Sequence, residues 1–190
     1  MGWLHSFARR MFGEYSLYRM YSAEPGEVAE PDGNGCVLGP ITNVCEIECS
    51  QDPALRALVQ YSGDEALAFG AWLDGKLAAV CSFWFGARYA TRNFWPLQPH
   101  EAKLVQIVTS EAFRGRGIAS RLIAYASREM GKLGFRRLYA RIWHSHGASI
   151  SAFRNAGWKY AGLVVEIFPF GAKKPWRFVR RVAPRIFEAK

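Results

Sequence analysis

The chain has 190 residues, with 25 Lys and Arg against 16 Asp and Glu, and a formal net charge of +9 at pH 7. Half of it is hydrophobic (50%) and 15% is aromatic, which excludes a disordered chain, a collagen and a disulfide-bonded mini-protein. No apolar stretch reaches the ~18 residues of a membrane-spanning helix, and the length suits one domain with short extensions.

The positive charge sits at the two ends. Residues 1–22 read as a basic amphipathic segment, in which Arg9, Arg10 and Arg19 outnumber Glu14 while Trp3, Phe7 and Met11 recur at helical spacing. Charges interrupt its apolar residues, so no secretory signal forms and a cytoplasmic location is expected. Met1-Gly2 with Ser6 also fits the short myristoylation pattern. Residues 23–35 (AEPGEVAEPDGNG) read as a linker, and 36–170 as the domain. Residues 171–190 form a basic aromatic tail, with seven basic residues against Glu188 alone. Basic amphipathic ends either pack on the domain or lie on an anionic membrane surface, here the inner, cytoplasmic one. No nucleic-acid-binding motif accompanies the charge. Cys36, Cys45, Cys49 and Cys81 lack zinc spacing and read as reduced thiols, mostly core filler; no metal site is expected.

Within the domain, Cys36–Ile47 is apolar enough for a first strand, and 52–61 has helical periodicity with Ser50 or Asp52 as cap. Residues 66–73 and 76–85, joined by Asp74-Gly75, read as a hairpin, since Asp-Gly supplies the positive φ angles of a primed turn. Residues 87–99 are an aromatic loop. Then follow a buried strand over 103–109, a helix over 117–133 stopped by Gly134, a strand over 137–143, a short helix over 148–155 and a strand over 160–168. This order predicts a mixed α/β sheet with a crossover in its second half.

The segment from Val108 to Ser120 (VTSEAFRGRGIAS) carries the chemistry. A strand ends and a helix opens on Gly115 and Gly117. The first amides of a helix have no internal partner, and glycine lets an anion approach them. Arg114 and Arg116 add positive charge. A phosphate or pyrophosphate is the natural ligand. A P-loop lysine is absent, and Ser120 stands where a dinucleotide fingerprint needs its third glycine.

Arg114-x-x-Gly117-x-Ala119 resembles the Q/R-x-x-G-x-G/A signature of the GNAT superfamily of acyl-coenzyme A N-acyltransferases. Ser149…Phe153-Arg154-Asn155-Ala156-Gly157-Trp158 is similar to a second segment of that family, and the likeness runs over residues 40–168. The resemblance implies a mostly antiparallel central sheet with two splayed parallel strands and flanking helices. It implies acetyl-coenzyme A, or a longer acyl-coenzyme A, as co-substrate and transfer of its acyl group to a primary amine by direct attack in a ternary complex. The aromatic loop 87–99 and the basic ends, rather than the resemblance, point to an amino sugar or a membrane-presented amine as acceptor, with a small soluble amine or a protein N-terminus as alternatives. The backbone of Arg114, Gly115, Arg116, Gly117, Ile118, Ala119 and Ser120 would hold the pyrophosphate. Ile107, Val108 and Thr109 would run beside the pantetheine, with the Val108 amide polarising the thioester carbonyl. Ser149, Phe153 and Arg154 would complete the cofactor site. Glu101 is the expected base, with His144 and Tyr160 as further proton-transfer candidates, because Phe153 replaces the family's tyrosine acid. The alternative is a non-catalytic module of the same fold that binds acyl-coenzyme A or an anionic membrane. The oligomeric state is not readable.

Overall fold

A computed structural model describes residues 14–30, 35–90, 96–168 and 175–182. Eight strands form one sheet in the order β2-β3-β4-β5-β6-β1-β7-β8. They are β1 (Glu14–Ala23), β2 (Val37–Pro40), β3 (Ala66–Leu73), β4 (Lys76–Trp84), β5 (Glu101–Thr109), β6 (Arg137–Trp143), β7 (Lys159–Phe168) and β8 (Trp176–Arg181). Every pairing is antiparallel except that of β5 with β6. The helices are α1 (Cys45–Glu48), α2 (Pro53–Arg56), α3 (Gly86–Ala90), α4 (Ile118–Lys132) and α5 (Gly147–Asn155).

The β3–β4 hairpin forms as its turn chemistry requires: Asp74 and Gly75 both take positive φ, 51° and 72°. Helix α4 buries Ile118, Leu122, Ile123, Ala126 and Met130, the stripe its spacing predicts, against one face of the sheet. Ser127, fully buried on α4, donates to the Ile123 carbonyl and accepts from the Trp158 indole at 3.1 Å. That bond ties the segment after α5 to α4.

Several expectations are corrected. The strand expected over Cys36–Ile47 stops at Pro40. Asn43 then accepts from the Cys45 amide, and α1 begins. The helix expected over 52–61 splits into α2, capped by Asp52, and a 3-10 turn over Ala57–Tyr61. Part of the 87–99 loop is helical, as α3. Two of the four cysteines, Cys45 and Cys49, are exposed rather than core.

Residues 14–22 are not a helix but most of β1, lying between β6 and β7. Their pattern has period two: Tyr18 and Met20 are buried on one face, while Arg19 is exposed on the other. Trp3, Phe7 and Met11 lie outside the described residues. Within 23–35, Pro25 and Val28 are buried and a 3-10 turn packs on α4. Trp176–Arg181 of the basic tail form β8, the last strand. It meets β7 closely at Gly162, where a Cβ would stand 2.5 Å from the Arg180 carbonyl oxygen.

The face of the sheet away from α4 holds a second cluster, with Tyr18, Met20, Tyr139 and Val164 at its centre. Lys103 also lies there, only 3% exposed, its Nζ donating to the Tyr89 hydroxyl at 2.9 Å. Burial first, then the charges of Arg141 and Arg177, hold its pKa well below the usual lysine value, with Glu166 opposing. The folded chain therefore loses this proton at a lower pH than the unfolded chain. Between those two pH values the unfolded state binds more protons, so stability rises with pH. Lys103→Met removes the linkage. The Tm of the native chain should climb relative to that of Lys103→Met as pH goes from neutral toward about 10. Parallel Tm curves would mean that Lys103 titrates alike in both states.

Candidate functional site

The loop from β5 to α4 is held at its start. The Ser110 amide donates to the Ala78 carbonyl of β4 at 2.8 Å, and a single 3-10 turn, Glu111–Phe113, follows. Asp52 sits beneath it. Hydrogen bonds from the Ser110 hydroxyl and the Ala54 amide hold its carboxyl below the usual carboxylate range, with Arg114 adding to the effect. The chain then turns through Gly115 and Gly117, with φ of 78° and 70°. An L-residue pays a steric cost in this left-handed region, so glycine is the residue that fits.

Gly117 is the N-cap of α4 and offers no side-chain oxygen. The Ser120 hydroxyl does not cap from within either, because it donates backward to the Gly117 carbonyl at 2.8 Å. The first-turn amides of a 15-residue helix therefore lack a side-chain cap. A Cβ at Gly115 would meet nothing within 4 Å, and residues 114–117 are all exposed. Arg116 rests over the Phe113 ring at 5.8 Å, and Arg114 Nε donates to the Thr109 carbonyl at 3.4 Å. Open space, free amides, the positive helix end and two arginines make a site for a diphosphate.

Beside this loop the sheet parts. Strands β5 and β6 pair only from Glu101–Leu104 to Arg137–Ala140. Beyond Leu104, β5 stays with β4, while β6 continues along β1 to Trp143. The register of β5 on β4 shifts at the same point, leaving Val105 as a bulge between Leu104 and Gln106. The result is a gap between two diverging strands, open toward the N-terminus of α4.

The alternation of an antiparallel ladder decides which main-chain groups face the gap. Ser110 bonds to Ala78, and the register is unbroken from Ala79↔Thr109 to Ser82↔Gln106. Gln106 and Val108 therefore turn their main-chain groups to β4, whereas Ile107 and Thr109 turn theirs to the gap. This corrects the assignment of the polarising amide to Val108, which is committed to the ladder with Val80. The amides that face the gap are those of Ile107 and Thr109.

The three proton-transfer candidates are not gathered in one place. Glu101 begins β5 at the closed end of the gap, on the face away from α4. Its carboxylate accepts from the Gln98 amide at 2.9 Å and the Tyr139 hydroxyl at 3.4 Å. His144 follows β6 at the open end, its side chain exposed and its amide donating to the Leu17 carbonyl. Tyr160 lies on the opposite face from Glu101, edge-on to Tyr21 at 6.0 Å, in a cavity with Arg19 and Arg154. None of residues 114–120 lines that cavity. Ser149 lies in the first turn of α5, its hydroxyl 3.3 Å from His146 Nδ1. Phe153 is buried against Trp158 and Tyr21 and has no proton to give. Lys103 is the residue that sequence reasoning missed. It shares a face with Glu101 and lies where β5 is about to leave β6. A lone lysine between Ala102 and the run LVQIV is the available signal.

The Acetyltransferase (GNAT) family model matches residues 38–158. Among curated proteins no match is found. Solved structures of similar fold include a putative GNAT-family acetyltransferase from Novosphingobium aromaticivorans, at TM-score 0.57 and 21% identity over 81% of this chain and 64% of that one. A GNAT-family acetyltransferase from Colwellia psychrerythraea gives TM-score 0.59 and 18% identity, over 86% and 60% of the two chains. A GCN5-related N-acetyltransferase from Kribbella flavida gives 0.56 and 13%, over 90% and 65%. The chain thus spans a little under two thirds of the length of these solved chains. The uncapped glycine turn, the parted strands and a family match over well over half of the sequence agree, and the chain belongs to the GNAT acetyltransferase family.

Proposed function

We propose that the protein is an acyl-coenzyme A-dependent N-acyltransferase, using acetyl-coenzyme A and a primary amine. The observation that carries this reading is the uncapped N-terminus of α4 opening onto the gap between β5 and β6. Its donor set fits the co-substrate: exposed amides and two arginines for a diphosphate, and the Ile107 and Thr109 amides for an extended chain running beside β5. Acetyl-coenzyme A supplies the thioester whose acyl group is transferred.

The residues of this chain hold, orient and take up protons. An amide directed at the thioester oxygen stabilises the charge that develops there, an effect that commonly accounts for ~10²–10³ in rate. The attacking amine must be neutral and must shed a proton as the C–N bond forms and the C–S bond breaks. Two acceptors lie on the face away from α4: the Glu101 carboxylate and the Lys103 amine, whose burial favours its neutral form. An acceptor amine presented as an amino sugar or at a membrane would enter from that side. Phe153 supports a second reading, a non-catalytic binder of acyl-coenzyme A, because it cannot protonate the leaving thiolate. Thiol release separates the two readings, since the enzyme liberates coenzyme A from acetyl-coenzyme A when an amine from a panel is added, and a binder does not.

Two variants probe the assignments. Gly117→Val puts a β-branched residue at φ 70°. It should raise KM for acetyl-coenzyme A about tenfold or more and leave KM for the amine nearly unchanged. Equal effects on both would indicate misfolding rather than loss of the diphosphate cradle. Glu101→Gln and Lys103→Met are compared across pH. Removing the true proton acceptor should lower kcat by about 10²-fold and abolish the fall in rate toward acid pH. If both variants keep the native kcat/KM at every pH, neither group accepts the proton.

A further inference from the structure

Among the described residues, no helix packs substantially on β7 or β8. Along β7, Gly162, Val164 and Glu166 are buried, while Leu163, Val165 and Ile167 are only half-buried. Register places Val165 between Leu17 and Phe178, and Leu163 between Arg19 and Arg180. Phe178 is 57% exposed, and Trp176, next along the same face, is 63% exposed. At the arginine end a cavity of about 400 Å³ opens between Arg19, Arg154 and Tyr160.

Among the described residues, the charges on this face are of one sign. The acid of β7, Glu166, turns to the opposite face, where Arg177 holds it at 2.7 Å. Among the described residues, Arg19, Arg154 and Arg180 take part in no ion pair. Exposed Trp and Phe beside unneutralised arginines complement a surface that is negative outside and apolar just beneath. A second copy of the chain would bring the same cations against each other, so symmetric self-association is disfavoured.

We propose that the α4-side face of β1, β7 and β8 docks on an anionic phospholipid bilayer, with Trp176 and Phe178 entering the headgroup layer and Arg19, Arg154 and Arg180 meeting lipid phosphates. The face contains no residue of the 114–120 loop, so the proposal does not depend on acyl transfer. Docking would hold the gap between β5 and β6 near the membrane, where a membrane-presented amine lies.

Co-sedimentation of the full chain with vesicles tests this, using phosphatidylcholine alone and phosphatidylcholine containing phosphatidylserine. Binding should be confined to the anionic vesicles and weaken with added salt. Arg19→Glu/Arg180→Glu should weaken it about tenfold or more, and Arg19→Gln/Arg180→Gln by less. Trp176→Ala/Phe178→Ala should weaken it without changing its salt dependence. Circular dichroism of each variant checks that the fold is kept. No binding, equal binding to neutral vesicles, or binding that the folded variants retain in full would overturn the proposal. So would nucleic acid binding that exceeds vesicle binding and depends on the same arginines.

Discussion

The parting of β5 from β6 after Leu104 is the constraint from which the rest of the site follows. Parallel strands normally stay paired, because unpaired main-chain groups inside a protein are costly. Here β5 keeps its partner β4 and β6 keeps β1, so each strand loses only one neighbour. The bulge at Val105 coincides with the separation and resets which β5 amides face outward. Two free amides on one wall and a helix N-terminus at the mouth then form a slot. It suits a molecule with a diphosphate at one end and amide-bearing chain behind it. No side chain is essential to that description, which is why a short glycine signature is a sufficient mark of it.

The face opposite α4 obeys a different economy of charge. Lys103, Arg141 and Arg177 share it with Glu101 and Glu166, in surroundings that Tyr18, Tyr89 and Tyr139 make partly apolar. Arg141 lies over the Tyr18 ring at 4.5 Å, and Arg177 grips Glu166. A lysine as buried as Lys103 is stabilised more readily without its proton than with it. That burial shifts Lys103 toward its neutral form at the point where β5 is about to leave β6.

Much of this was legible in the sequence. The β3–β4 hairpin, β5, α4, β6, α5 and β7 follow from local periodicity and turn chemistry, and the glycine turn follows from helix-terminus physics. What was not legible is non-local. Residues 14–23 are amphipathic with either a helical or a strand reading, and only their partners β6 and β7 decide for a strand. Trp176–Arg181 read as a tail because nothing in their own composition announces the edge they join. The direction of the Val108 amide depends on register with β4, which no single strand carries. Glu101 stands out in the sequence by its position at the start of β5, whereas the burial of Lys103 is a property of the folded sheet.

One missing carbon governs the outermost part of this architecture. With hydrogen as its side chain, residue 162 lets the final strand settle flush against its neighbour; a methyl there would press on the backbone of Arg180. The eighth place in the sheet is thus open to a ribbon that lies flush on β7, and the cationic-aromatic patch shares the plane of the sheet. A single-atom tolerance beside the edge of the sheet in this way converts a diffuse local charge into a shaped one.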